Sequence, residues 1–174
     1  MAGLGSTFDP KIRKHLLRDE GEVIVDEVLH HWVVYIVPVL EALAGVLVFY
    51  LFLIAPVDLA WFPFVAAFVI WTHAAYKALD EHMDRFVITN MRVFRVRGVF
   101  AQKLATMPLG RILDITVEKS LTGRLFDYGH FVFESAAQEQ GLRDIRFVGR
   151  PYDRDLTIQR VVQRAGLRGP RVIN

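Results

Sequence analysis

Two ionisable residues fall where ionisable residues are costly. Glu41 lies inside the apolar run 32–54 and His73 inside the run 59–79. A carboxylate within a membrane-crossing helix marks a partner or a function by default. Counting from Val57 in the short connection, Glu41 lies sixteen residues before and His73 sixteen after. With about 1.5 Å of rise per residue, both sit about 24 Å from the turn. The two are expected to pair across an antiparallel hairpin. A neutral or snorkelling Glu41, or a proton relay, are the alternatives. Gly45, one turn from Glu41, and Ala74 beside His73 would allow close approach of the helices.

A second group of charges is Arg92, Arg95, Arg97, Lys103 and Arg111. Arg95 and Arg97 share one face of a strand with Val93. They are candidate contacts for an anionic headgroup or a protein partner. The competing reading is a solvated strand face, or pairing with Asp84, Asp114 or Glu118.

Other clusters carry less chemistry. His30 and His31 are adjacent and cannot share a helical face. Glu81, His82 and Asp84 lie between a helix and a strand, with no fourth ligand nearby to complete a metal site. Asp153 and Asp155 read as acids in the first turn of a helix. The phosphate-binding, dinucleotide-binding, nucleophile-elbow and zinc-protease motifs are absent. A non-enzymatic protein without a cofactor is expected. Cysteine is absent, which excludes disulfides and thiolate metal sites.

Composition shows what must position these groups. Of 174 residues 53% are hydrophobic, and the apolar residues concentrate between Trp32 and Leu79. The run 32–54 holds one charge, Glu41, and the run 59–79 one, Lys77. Each is long enough to cross about 30 Å of hydrocarbon. Only Ala55, Pro56, Val57 and Asp58 separate them, so they are antiparallel neighbours. Lys11, Arg13, Lys14 and Arg18 precede the first run, and Lys77, Arg85, Arg92, Arg95 and Arg97 follow or end the second. The connection has no Lys or Arg, so both termini are expected in the cytoplasm. Trp32, Tyr35 and Tyr76 fall where a cytoplasmic aromatic belt belongs. No cleavable signal reads at the start. Residues 80–165 hold fourteen Lys or Arg against eleven Asp or Glu. That near balance argues against nucleic acid as a partner.

After Lys77 the periodicity turns strand-like. Strands are expected at 84–89, 91–98, 101–109, 112–118, 129–135 and 142–148, with turn residues between them. A helix follows at 151–165, its apolar stripe formed by Leu156, Ile158, Val161 and Val162. The segmentation is 1–31 as a cytoplasmic segment, 32–79 as the hairpin, 80–165 as a β domain and 166–174 as a flexible tail. Residues 1–15 are expected to be loosely ordered. Asp9 and Pro10 can start a short amphipathic helix through Leu17, lying on the membrane surface.

The stretches FVITNMRVFRVRGVF (86–100), MPLGRILDITVEKSLTGRLFDYGHFVFES (107–135) and IRFVGRP (145–151) carry a likeness. With the lead-in LLRDEGEVIVDEVLHHW (16–32), they resemble bacterial membrane proteins that carry a PH-like domain after a two-helix hairpin. The likeness covers most of residues 16–165. It departs at Val28-Leu29-His30, where a basic residue is expected. It implies an α+β membrane protein: a transmembrane hairpin plus a PH-like β-barrel or sandwich capped by a C-terminal helix. The loop Thr89-Asn90-Met91 is too short and uncharged for the phosphoinositide cradle of lipid-binding PH domains, and fold does not fix ligand. The expected function is a membrane-anchored adaptor or accessory subunit in the bacterial inner membrane. Its partners would be the bilayer and a membrane protein or a second copy. Sensing of anionic lipid is the alternative.

Overall fold

The computed structural model describes residues 12–135 and 141–166. The chain divides into two compact units: residues 32–82, and the described residues on either side of them.

The first unit is a helical hairpin. Trp32–Tyr35 makes a 3₁₀ turn that leads into α1 (Ile36–Ile54), and α2 (Val57–Met83) follows after only Ala55 and Pro56. Pro56 cannot continue α1, and its carbonyl accepts from the N–H groups of Leu59 and Ala60 in the first turn of α2. Both helices are long and apolar enough to cross a membrane. Their seam is made of small residues and one large one. Gly45, Ala67 and Ala74 are buried, and Trp71 Nε1 donates to the Ala42 carbonyl at 3.0 Å. A side chain at Gly45 would collide with the Trp71 indole. The glycine is therefore what lets α1 pass so near. Phe49, Phe52 and Phe64 pack towards the turn, with ring centroids 5.4–6.5 Å apart.

The second unit holds seven strands. β1 (Ile24–Leu29), β2 (Arg85–Thr89), β3 (Arg92–Arg97) and β4 (Lys103–Pro108) form one antiparallel sheet in that order. β5 (Ile112–Glu118), β6 (Tyr128–Ser135) and β7 (Asp144–Gly149) form a second antiparallel sheet. The six strands expected after Lys77 correspond to β2–β7. β1 was not anticipated. Its segment alternates Ile24, Asp26 and Val28 with Val25, Glu27 and Leu29, and Val28 points into the core.

The inner faces of the two sheets bury Val28, Phe86, Ile88, Val93, Met107, Phe131, Phe133 and Ile145 together. Ile158, Val161 and Val162 of α4 (Pro151–Arg164) close this core from one end. A smaller cluster lies on the outer face of the first sheet, where Val87, Phe94 and Val96 receive Ile12 and Leu16. Of the surface helix expected over 9–17, residues 9–11 lie outside the described residues. The remainder is a single 3₁₀ turn, Ile12–His15, whose Ile12 is buried on the sheet. An apolar side chain that finds a sheet face has no reason to lie on a bilayer. The tail 167–174 also lies outside the described residues.

The barrel alternative is not what forms. Two separate sheets stand face to face, and they are joined at one corner only by a single isolated bridge between His30 and Val148. Phe147, next to that bridge, has a φ of +54°, a left-handed conformation that a bulky residue rarely adopts. At this corner the Phe147 carbonyl accepts from the His31 N–H at 2.7 Å, and within the second sheet the Phe147 N–H donates to His130 Nδ1 at 3.1 Å.

One element was read as a bare turn. Ser120–Gly123 opens α3 (Leu121–Phe126), capped by Ser120 Oγ accepting from the Gly123 N–H at 3.1 Å.

Candidate functional site

In the helical unit the structure brings Glu41 and His73 together. His73 Nδ1 is 3.0 Å from Glu41 Oε2. Lys77, which the sequence reading left out of the pair, donates from Nζ to Glu41 Oε1 at 2.6 Å. His73 and Lys77 lie one turn apart on α2, so one carboxylate on α1 can reach both. The cluster is open on one side, with side-chain exposures of 27% for Glu41, 58% for His73 and 41% for Lys77.

In the β unit the five basic residues separate. Arg92 lies on the outer face of β3. Its Nε and Nη2 grip both oxygens of Glu22 at 2.9 and 3.0 Å, and Nη2 also donates to the His15 carbonyl at 2.6 Å. The Glu22 side chain has no exposure at all. Burial opposes its charge. Hydrogen bonds from Arg92, the Leu17 N–H and Thr89, with the Arg92 charge, outweigh that and hold the carboxyl below its ordinary range. Asn90 adds a second tie, accepting from the Val23 N–H at 2.9 Å and donating to the Gly21 carbonyl at 3.2 Å. Arg92 is thereby committed to binding the segment before β1.

Arg95 and Arg97 share their face with Val93, and that face is the inner one. The competing reading offered a solvated face or pairing with Asp84, Asp114 or Glu118, and for Arg95 the pairing with Asp84 is what forms. Arg95 is nearly buried and makes a two-pronged contact with Asp84, Nε to Oδ1 at 2.8 Å and Nη2 to Oδ2 at 2.6 Å. Its Nη1 donates to the Asp144 carbonyl in the second sheet at 3.0 Å. Asp84 is only 3% exposed and also has Arg97 Nε and His30 Nε2 at 3.7 Å. No three His, Asp or Glu side chains converge as metal ligands among the described residues.

Arg97 and Lys103 are directly opposed across β3 and β4. With Arg95, Ala105 and Gly141 they line a cleft of about 390 Å³ at the mouth between the sheets. Arg111 is exposed in the 3₁₀ turn that joins β4 to β5, outside that lining. The structure thus brings three of the five candidates to one place and sends Arg92 and Arg111 elsewhere. Glu22 and Asp84 are the residues that organise the set. Asp84 was among the pairing candidates read from the sequence, whereas Glu22 lies 70 residues before Arg92 and nothing local joins the two.

A four-stranded and a three-stranded antiparallel sheet, packed face to face and closed by a C-terminal helix, define a PH-like module. The chain belongs to the bacterial PH domain family: residues 32–166 match it, a stretch that includes both apolar helices. No curated protein and no solved structure matches the chain.

Proposed function

We propose that this chain is a non-enzymatic, membrane-anchored adaptor whose PH-like domain engages a neighbouring membrane protein at the cytoplasmic face. The observation that carries this reading is the place of the hairpin in the strand order. It is inserted between β1 and β2, which are paired neighbours with Leu29 opposite Arg85. Both ends of the membrane anchor therefore feed one sheet, and only His30 and His31 lie between β1 and the 3₁₀ turn at Trp32. Such short connections keep the domain in the layer next to the bilayer. Confinement raises its effective concentration for membrane neighbours, so weak contacts suffice. The Lys and Arg around the hairpin, and their absence from its turn, support cytoplasmic termini and residence in the bacterial inner membrane.

Crosslinking of the full chain in native membranes tests this, with a discrete protein adduct as the expected product. Capture of lipid alone would count against it. Release of the chain by carbonate washing would remove the anchor, and with it the reading.

The cleft favours a second reading, contact with an anionic lipid. Arg92 is committed elsewhere, so Arg97 and Lys103 would carry that contact. The full chain purified in detergent should then retain anionic lipid, and an Arg97→Gln, Lys103→Gln variant should retain less. Equal retention would dismiss this reading.

A further inference from the structure

We propose that the turn between β3 and β4 dips into the cytoplasmic leaflet of the bilayer that anchors the chain, with Phe100 at the hydrocarbon boundary and Arg97 and Lys103 against anionic headgroups. This rests on the membrane anchoring proposed above. It adds a third point of attachment to the two covalent ones, and three points fix how a domain stands on a surface. Three observations lead there. The first is place. Leu29, Arg85, Val96 and Leu104 lie opposite one another across the four strands of the first sheet. From this row β1 runs on to Trp32 through His30 and His31, and β2 is reached from α2 through Asp84. Three residues of chain span at most about 10 Å. Residues 98–102, which join β3 to β4, leave the sheet at the same end. The turn therefore projects from the side of the sheet that the anchor ties to the bilayer.

The second is exposure. Phe100 is 89% exposed, the most exposed large apolar side chain of the β unit among the described residues. The backbone is shaped to present it. Gly98 has a φ of +112°, and a side chain there would collide with the Ala101 carbonyl. The glycine closes the turn tightly and leaves the phenyl at its tip.

The third is charge. Arg97 and Lys103 flank the turn as an opposed pair, and both are exposed. From Arg85 to Leu113 the chain holds six Lys or Arg and no Asp or Glu. An apolar tip between basic residues is the make-up of segments that lie in a membrane interface. The cytoplasmic leaflet is anionic and attracts basic residues within a Debye length. A bilayer offers an anionic layer and an apolar one in succession, at the depths that the two cations and the phenyl of one turn reach.

Depth measurement on the full chain in vesicles tests this. The chain has no cysteine, so a single introduced one carries a nitroxide without competition. Gln102→Cys places the label beside Phe100 and keeps the phenyl. Leu47→Cys, exposed on α1, reports the anchor, and Leu113→Cys, exposed on β5 beyond the other end of β4, reports the far side of the domain. Vesicles are phosphatidylcholine with or without phosphatidylglycerol. Collisions with oxygen, which favours lipid, and with a water-soluble nickel chelate give the depth of each label. Position 47 should read as hydrocarbon, position 113 as water and position 102 as the headgroup boundary, deeper with phosphatidylglycerol. Phe100→Ser should lower the lipid-facing fraction at position 102 about tenfold, since no phenyl remains to partition. Arg97→Gln with Lys103→Gln should remove the dependence on phosphatidylglycerol. Water at position 102 with hydrocarbon at position 47 overturns the proposal and leaves the anchor standing. Water at position 47 removes the anchor and the proposal together. Shielding of position 102 from both oxygen and nickel makes a protein surface or a second copy the occupant and overturns the lipid assigned here. An unchanged depth in Phe100→Ser overturns it as well.

Discussion

At the scale of single residues, Asp84 decides more than any of the cations around it. Its carboxylate is almost completely buried and held by Arg95 through two short hydrogen bonds. Asp84→Asn leaves a nearly buried guanidinium without its counter-charge, so it should cost about 3–5 kcal/mol. Arg97→Gln should cost under about 1 kcal/mol, because Arg97 is 54% exposed and 3.7 Å from the same carboxylate. Chemical unfolding of the full chain in detergent checks both, and equal effects would refute the ranking.

Acid stability separates two more residues. His130 is held below its ordinary value by burial first and by the Arg146 charge second, with Glu118 pulling the other way. His31 is lowered by burial too, against the pull of Asp127. The unfolded chain therefore takes up protons that the folded chain refuses. Stability from these two is complete above about pH 6.5 and declines as pH falls below it. Glu22 has a lowered carboxyl pKa, so its contribution persists at neutral pH and is lost only below about 4.5. Melting temperature should drop in two stages on acidification. His130→Asn, whose amide oxygen can still accept from the Phe147 N–H, should blunt the first stage and leave the second. A single stage centred near pH 4 would contradict this.

At the scale of elements, the hairpin depends on one close contact. Gly45→Val places a branched side chain against the Trp71 indole and the hydrogen bond to Ala42. Overpacking of this kind costs about 1–3 kcal/mol. The variant should melt earlier in detergent and shift its tryptophan fluorescence, whereas Gly21→Ala, with open space around it, should disturb neither helix. The hairpin, β2–β7 and α4 were legible because their periodicities are long and clean. The depth match of Glu41 and His73 follows from residue counting across a short turn. β1 was obscured because it is six residues of mixed polarity directly before a strongly apolar run, and its pairing partner is about sixty residues away. The pairing of Arg95 with Asp84 was among the sequence alternatives, but its burial was not. Strand alternation puts Arg95 with Val93, but only the location of Asp84 shows that a charge can be accommodated there. α3 escaped notice because six residues provide too little periodicity, and its Ser120 cap resembles the turn residue it was taken for.

At the scale of the whole molecule, the helical unit is an insertion into the strand order of the other unit. The proposed roles of the two units are thus expected to be separable by substitution. Asp84→Asn should weaken the sheet unit. His73→Phe removes one partner of Glu41 within the hairpin and should leave cleft-dependent lipid retention unchanged. Measuring unfolding and lipid retention on both variants checks that separation, and a loss of lipid retention in His73→Phe would show that the units are not independent.

The insertion also fixes a sequence of events during synthesis. β1 leaves the ribosome first, but the strand that completes it emerges only after both greasy helices have been made. Until translation passes Thr89, β1 lacks its β2 neighbour. The first sheet can therefore close only in chains whose two apolar helices have already been made.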